Sequence, residues 1–235
     1  PSTDPSGGTP GRVNSTVTAV ADTRCPSVIA AWPQTPGVVA VLFDETIILE
    51  ESGPWLADGI ETMPALSGDP ADRTLLVTLA GEIDPGTVLT LQIPPGLTDF
   101  AGNQPCTGDI RTGLPSGPAP GEIMFNELMP DPSPGCSEYM ELFNNSGKIF
   151  DLSALLLAGS SKGAATAITG LHRQLLPGAF VALTTGREDF ASVYPCADEK
   201  SVFRADRLPA LPDDGGTLVL YDRSLNVIDR VDFSP

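Results

Sequence analysis

Any chemistry in this sequence has to come chiefly from carboxylates. Acids number 30 against 13 lysines and arginines, and the chain has one histidine, His172. Glu127 follows Ile123 and Phe125 at a spacing of two, and Glu141 stands between Tyr139 and Phe143 at the same spacing. Residues two apart on a strand share a face, so each carboxylate is expected beside apolar side chains, which is unfavourable unless its charge is satisfied. Hydrogen bonds from loop amides or an arginine would satisfy it and fix one end of the fold. The sharper alternative is a Ca²⁺ site to which Asp131 or Glu138 adds oxygens. Asp99 and Asn103 make a second Ca²⁺-compatible loop, although such residues more often cap turns and no EF-hand spacing is present. Paired carboxylates also hydrolyse glycosidic bonds, but no cleft to hold a sugar is predictable. His172 has no G-x-S-x-G partner motif and is expected in a turn or on the surface. Ser6-Gly-Gly8 and Asp213-Asp-Gly-Gly216 lack the lysine of a phosphate loop. No catalytic residue and no cofactor site is expected.

Cysteines are the second chemistry. Cys25, Cys106, Cys136 and Cys196 allow three pairings, and no C-x-x-C spacing marks a zinc or redox site. Two fall in each half, which favours Cys25–Cys106 and Cys136–Cys196 over buried free thiols. Paired cysteines imply an oxidising compartment.

These groups would be positioned by strands. Gly and Pro contribute 24 residues each, spread along the 235-residue chain, which suits short strands and turns and works against long helices. Gly37–Phe43 is apolar on both faces, as a central strand would be. In Thr74–Ala80, Leu75, Val77 and Leu79 share a face; in Thr87–Ile93, Leu89, Leu91 and Ile93 do. Asp84-Pro-Gly86 turns between these two. The second half repeats the pattern at Glu122–Leu128, Glu138–Asn144, Ala179–Thr184, Thr217–Asp222 and Val227–Phe233, the last two as a hairpin. A short helix is predicted over Arg187–Tyr194, ended by Pro195. Short strands at roughly ten-residue spacing predict an all-β chain of two tandem immunoglobulin-like β-sandwich domains. Residues 1–11 read as a linker, 12–112 as the first domain, 113–120 as a stiff Pro/Gly spacer without fold, and 121–235 as the second domain.

Both halves are acidic. Through Pro120 there are 14 acids and 4 bases, a balance of −10, which leaves −7 for the remainder of the total of −17. Nucleic acid is therefore not an expected partner, since phosphate contacts come from Lys and Arg. No apolar run reaches the 18 or so residues of a membrane span. The start at Pro-Ser-Thr-Asp, without a signal-peptide pattern, suggests a piece of a larger product.

The residues also carry two resemblances. Val39-Ala-Val-Leu-Phe-Asp-Glu45 and Leu97-Thr-Asp-Phe-Ala-Gly-Asn103 make residues 24–112 similar to the bacterial Ig-like domain of S-layer and other large surface proteins. Residues 120–235 resemble a bacterial lamin-tail domain. The matching pieces are Ile123-Met-Phe-Asn-Glu-Leu-Met-Pro-Asp-Pro132, Glu138-Tyr-Met-Glu-Leu-Phe-Asn144, Asp151-Leu-Ser153, Leu176-Pro-Gly178 and Gly216-Thr-Leu-Val-Leu-Tyr-Asp222 with Val227-Ile-Asp229. Ala154-Leu155 stands where that family usually has Gly-Trp. The resemblance implies a non-catalytic structural or adhesive module of a larger exported bacterial surface or secreted protein. In Bacteroidetes-like bacteria such proteins often leave by type IX secretion. The nuclear partners of lamin tails do not carry over, because the acidic balance and the cysteine pairing argue against them. Expected partners are other domains of the same polypeptide, neighbouring copies, or surface glycans. The alternative is an accessory module targeting an attached hydrolase to polysaccharide, with Trp55, after Ser52-Gly-Pro54, as the exposed aromatic contact.

Overall fold

The apolar runs form strands because alternate side chains need a common face to leave water. In a computed structural model, the structure describes residues 22–49, 53–66, 73–106, 108–160, 163–186, 190–194, 201–205 and 207–234. The linker expected over 1–11 lies outside them. The first half contributes β1 (Val28–Thr35), β2 (Val38–Phe43), β3 (Ile48–Leu49), β4 (Trp55–Ala57) and β5 (Ile60–Leu66). It continues with β6 (Thr74–Thr78), β7 (Leu89–Gln92), β8 (Leu97–Thr98) and β9 (Ile110–Thr112). Seven of these join in the order β1-β2-β6-β5-β4-β7-β9, and β3 pairs with β8. β5 turns the ribbon over: its first residues pair with β4 and its last with β6, so the strands fold into two facing layers. Between them pack Phe43, Trp55, Leu75, Val77, Leu91 and Leu97, all essentially without exposure. The Asp84-Pro-Gly86 turn forms as expected, with the Thr87 amide donating to the Asp84 carbonyl over 3.1 Å and Gly86 at φ +80°.

The second half contributes β10 (Ile123–Met129), β11 (Tyr139–Asn144), β12 (Phe150–Asp151), β13 (Leu155–Ala158), β14 (Thr166–Ala167) and β15 (Gln174–Leu175). After these come β16 (Phe180–Thr184), the short helix α1 (Phe190–Val193), β17 (Val202–Arg204), β18 (Gly216–Asp222) and β19 (Val227–Phe233). Two four-stranded sheets, β10-β11-β16-β17 and β14-β13-β18-β19, enclose a core of Ile123, Met140, Leu142, Phe150, Leu155, Leu183 and Leu218. The two cores share no residue. The whole is nearly all-β, built as immunoglobulin-like sandwiches. Among the described residues no helix is long and apolar enough to cross a membrane.

One strand breaks the expected alternation. β10 and β11 pair Phe125 with Leu142 and then Glu127 with Glu141, leaving Asn126 as an extra residue. A bulge shifts side-chain parity by one, so Glu127 leaves the face of Ile123 and Phe125, and Leu128 turns inward in its place. The expectation that Glu127 shares a face with Ile123 and Phe125 is thereby overturned. Asp229 on β19 accepts the Phe125 amide at 2.7 Å, joining β10 to the other sheet where the ladder is interrupted.

A buried side chain ties the ends of this sandwich together. Asn144, without exposure, donates through Nδ2 to the carbonyls of Lys148, Leu175 and Leu176, at 2.8, 3.1 and 3.0 Å. Its Oδ1 accepts the Ser146 amide and hydroxyl. Asn144→Ala leaves those carbonyls without their donor in a dry site and is expected to remove about 2–3 kcal/mol of stability, read by urea unfolding. A loss below about half a kcal/mol would show that solvent replaces the amide.

Residues 113–120 form no strand, but they are not a free spacer. Leu114 packs on the first core, and the Ser116 amide donates to the Ile149 carbonyl over 2.8 Å. A Cβ on Gly113 would collide with Ile149 Cδ1 and the Thr87 carbonyl, so only glycine permits this approach.

Candidate functional site

The carboxylates singled out in the sequence do not converge. Glu127 and Glu141 stand directly opposite each other on the outer face of β10 and β11. The Tyr139 hydroxyl donates to Glu127 at 2.7 Å, and the Asn126 amide donates to Glu141 at 2.6 Å. Burial, reinforced by the Glu127 carboxylate, pushes the Tyr139 hydroxyl well above the usual phenol range. Asp131 and Glu138 are exposed. Among the described residues the one group of three acids with ligand atoms within 4.8 Å of one another is Asp22, Glu45 and Asp99. Burial and then the charges of Asp99, Asp22 and Asp44 raise the Glu45 carboxyl. Asp99 already accepts the hydrogen bonds of its own turn through both oxygens.

That turn occurs twice. Asp99 Oδ1 accepts the amides of Ala101 and Asn103 at 2.7 and 2.9 Å, and its Oδ2 accepts Asn103 Nδ2 at 2.8 Å. Asp222 Oδ1 accepts the amides of Ser224 and Asn226 at 2.8 and 2.9 Å, and its Oδ2 accepts Asn226 Nδ2 at 2.8 Å. Both need a left-handed residue before the Asn: Gly102 at φ +88° in one, Leu225 at φ +64° in the other. Burial alone would raise the Asp99 carboxyl, but the Asn103 side chain and the turn amides hold it lower. Asn226 does the same for Asp222, and the Ala119 amide with Lys148 does so for Glu122. A carboxyl depressed in the fold contributes stability above its unfolded value and loses it as pH falls through the folded one. The ordinary values are 3.8 for Asp and 4.5 for Glu. The melting temperature is therefore expected to hold from neutral pH to about 5 and to drop below about 4. A melting temperature still rising at pH 3.5 would contradict this balance.

Of the cysteines, Cys25 and Cys106 are bridged, with Cα atoms 5.6 Å apart. Cys136 is half-buried and unbridged among the described residues; Cys196, its expected partner, lies outside them. The expectation for Trp55 is corrected. It is fully buried, because β4 places it, with Ala57 two residues on, against the first core.

The polar groups that do converge lie where the two sandwiches meet. Gln174 Oε1 accepts the Gly113 amide at 3.0 Å and the Thr112 hydroxyl at 3.1 Å, while its Nε2 donates to the Gly113 carbonyl at 2.7 Å. The Thr112 hydroxyl also reaches the Ala31 carbonyl, joining β9 to β1. His172 stacks on Trp32 with ring centroids 4.7 Å apart. Its Nδ1 meets Asp151 Oδ2 at 2.5 Å, and Asp151, nearly buried, caps the following turn by accepting the Ser153 amide. His172 is exposed, as expected, and makes these two contacts from the surface. Beside these contacts a cleft of about 630 Å³ opens between β1, β9 and residues 172–181. Little in the sequence marks Trp32, Asp151 and Gln174 as site residues, since their segments show no alternation; the Asp-Leu-Ser motif is the one signal.

The geometry defines a class: paired immunoglobulin-like sandwiches docked through a small polar contact. The lamin tail domain model matches residues 116–235, more than half of the chain, and the chain belongs to that family. No curated protein matches it. A solved structure that does, the N-terminal part of the bacterial S-layer protein SbsC, is 14% identical with a TM-score of 0.34. The match covers 90% of this chain and 44% of that one, so the chain spans under half of that structure's length.

Proposed function

We propose that this chain is a non-catalytic structural module of a larger exported surface protein, in which the two sandwiches act as one stiff spacer. The observation that carries this is the clamp: Gln174 binds Gly113 in both directions while Trp32 stacks on His172. Two adjacent hydrogen bonds and a ring stack oppose swivelling about the 113–120 segment. The Cys25–Cys106 bridge supports a place outside the reducing cytoplasm. The resemblance of the first half to bacterial surface domains supports a cell-surface or secreted setting, and type IX export rests on resemblance alone, with the lamin-tail pieces of the second half. Small-angle scattering of the whole chain tests the spacer. A single fixed shape is expected for the wild type, and a broadened distance distribution for the Trp32→Ala, Gln174→Ala double variant. Wild-type scattering from two freely jointed bodies would refute the stiff spacer. Loss of the type IX machinery in the source bacterium is expected to retain the protein in the periplasm; unchanged export would discard that route.

A further inference from the structure

The seam between the sandwiches contains the chain's one histidine, and two different contacts meet on its ring. His172 stacks on Trp32 of β1, with centroids 4.7 Å apart and 20° between the planes. Its Nδ1 lies 2.5 Å from Asp151 Oδ2. Two lone pairs could not sit so close, so Nδ1 carries a proton and donates it, which leaves Nε2 to take a second one. Asp151 is nearly buried and is held by the amides of Ser153 and Arg173, at 2.9 and 3.3 Å. The histidine side chain keeps 45% of its surface in water, so protons reach it from solvent. The other charged groups around it line the neighbouring cleft: Asp109 and Arg111 from β9, and Arg173 beside β15. What β1 and β17 present to that cleft, from Val28 to Ala31 and at Val202, is not titratable. The two arginines oppose a positive ring and Asp109 partly offsets them. Asp151 decides the sign, because it is in direct contact and Coulomb attraction falls with distance.

We propose that His172 is a pH-sensitive latch between the two sandwiches: protonated, it holds Trp32 more tightly and stiffens the spacer; neutral, it lets the seam open more often. This rests on the stiff-spacer reading and adds its regulation. Histidine is the side chain that changes charge between about pH 5 and 8. A cation over the face of an indole is attracted by the ring's quadrupole, an attraction that a neutral imidazole lacks. The same charge turns the bond to Asp151 into an ion pair, which fixes the ring where Trp32 meets it. The ring stack crosses the seam, since Trp32 lies in β1 of the first sandwich and His172 precedes β15 of the second. The existing geometry already suits the charged ring, so no rearrangement opposes the gain. By linkage, the added hold is present on the acid side of the histidine range and is lost as pH rises through it.

Hydrogen exchange at the Gly113 amide reads the seam directly, because that amide donates across it to Gln174 Oε1 at 3.0 Å. In the whole chain its protection, taken relative to the intrinsic exchange rate at each pH, is expected to be about three-fold higher at pH 5.5 than at pH 7.5. That window lies above the ordinary carboxylate range, so the acids keep their charge across it. His172→Gln retains a planar donor but cannot take the charge, and it is expected to show equal protection at both values. Trp32→Leu keeps an apolar contact without the indole face and is expected to lose most of the difference. Wild-type protection that is flat or falls toward pH 5.5, or a rise that survives in His172→Gln or Trp32→Leu, would each overturn the proposal. Failure of the latch is distinguishable from failure of the spacer. Flat exchange with one fixed shape by scattering at both pH values would discard the latch and keep the spacer, whereas scattering from freely jointed bodies would discard both.

Discussion

Replacing both Cys25 and Cys106 by serine is expected to lower the unfolding free energy of the first sandwich by about 4 kcal/mol. The bridge joins residues 81 apart in sequence, so cutting it returns the loop-closure entropy of nearly the whole unit to the unfolded chain. Cys106 is exposed and Cys25 half-buried, so serine hydroxyls at these places meet water and bring no buried unpaired group. The measurement is urea unfolding of the double variant beside the wild type. A difference below about 1 kcal/mol would mean that the strands hold the β1–β9 seam unaided. The same variant bears on compartment. A domain that depends on the bridge for most of its stability is poorly suited to a reducing cytosol.

Trp55→Ala is expected to cost the first sandwich about 3–5 kcal/mol, because it empties the largest fully buried side chain of the core. Its indole Nε1 is buried and has no hydrogen-bond partner. Trp55→Phe therefore removes a donor that folding strips of water, and the retained ring keeps much of the packing. That variant is expected to lose no more than about 1–2 kcal/mol. Chemical unfolding of both variants reads the difference. If Trp55→Ala were nearly neutral, the residue would have to be solvent-facing. If Trp55→Phe matched the alanine loss, the indole N–H would have to be satisfied.

Much of the architecture is legible in the sequence. The runs at β2, β6, β7, β11, β16, β18 and β19 announce themselves because alternation, or apolarity on both faces, is written within each segment. Two cysteines in one half favour the Cys25–Cys106 pairing, and a glycine where the backbone must go left-handed marks the Asp-Phe-Ala-Gly-Asn turn. β1, β4 and β13 are not legible as strands, since Val28–Thr35 and the short segments Trp55–Ala57 and Leu155–Ala158 carry no clear period.

The sequence alone thus settled class: all-β, acidic throughout, with a lamin-tail series of motifs in its second half; the bridge between Cys25 and Cys106 it only favoured. Tertiary structure decided everything that depended on a distant partner. The extra Asn126 in β10 turned Glu127 to the outer face, and no count along one strand can see a bulge that exists only relative to β11 and β19. Trp55 went inside because β5 and β7 flank its strand. Gly113, Gln174, Trp32 and His172 became one contact through the docking of two sandwiches, although they are as many as 142 residues apart in sequence. Local pattern reflects the burial of a face; which face, and against what, is a property of chain segments that meet only in the folded state.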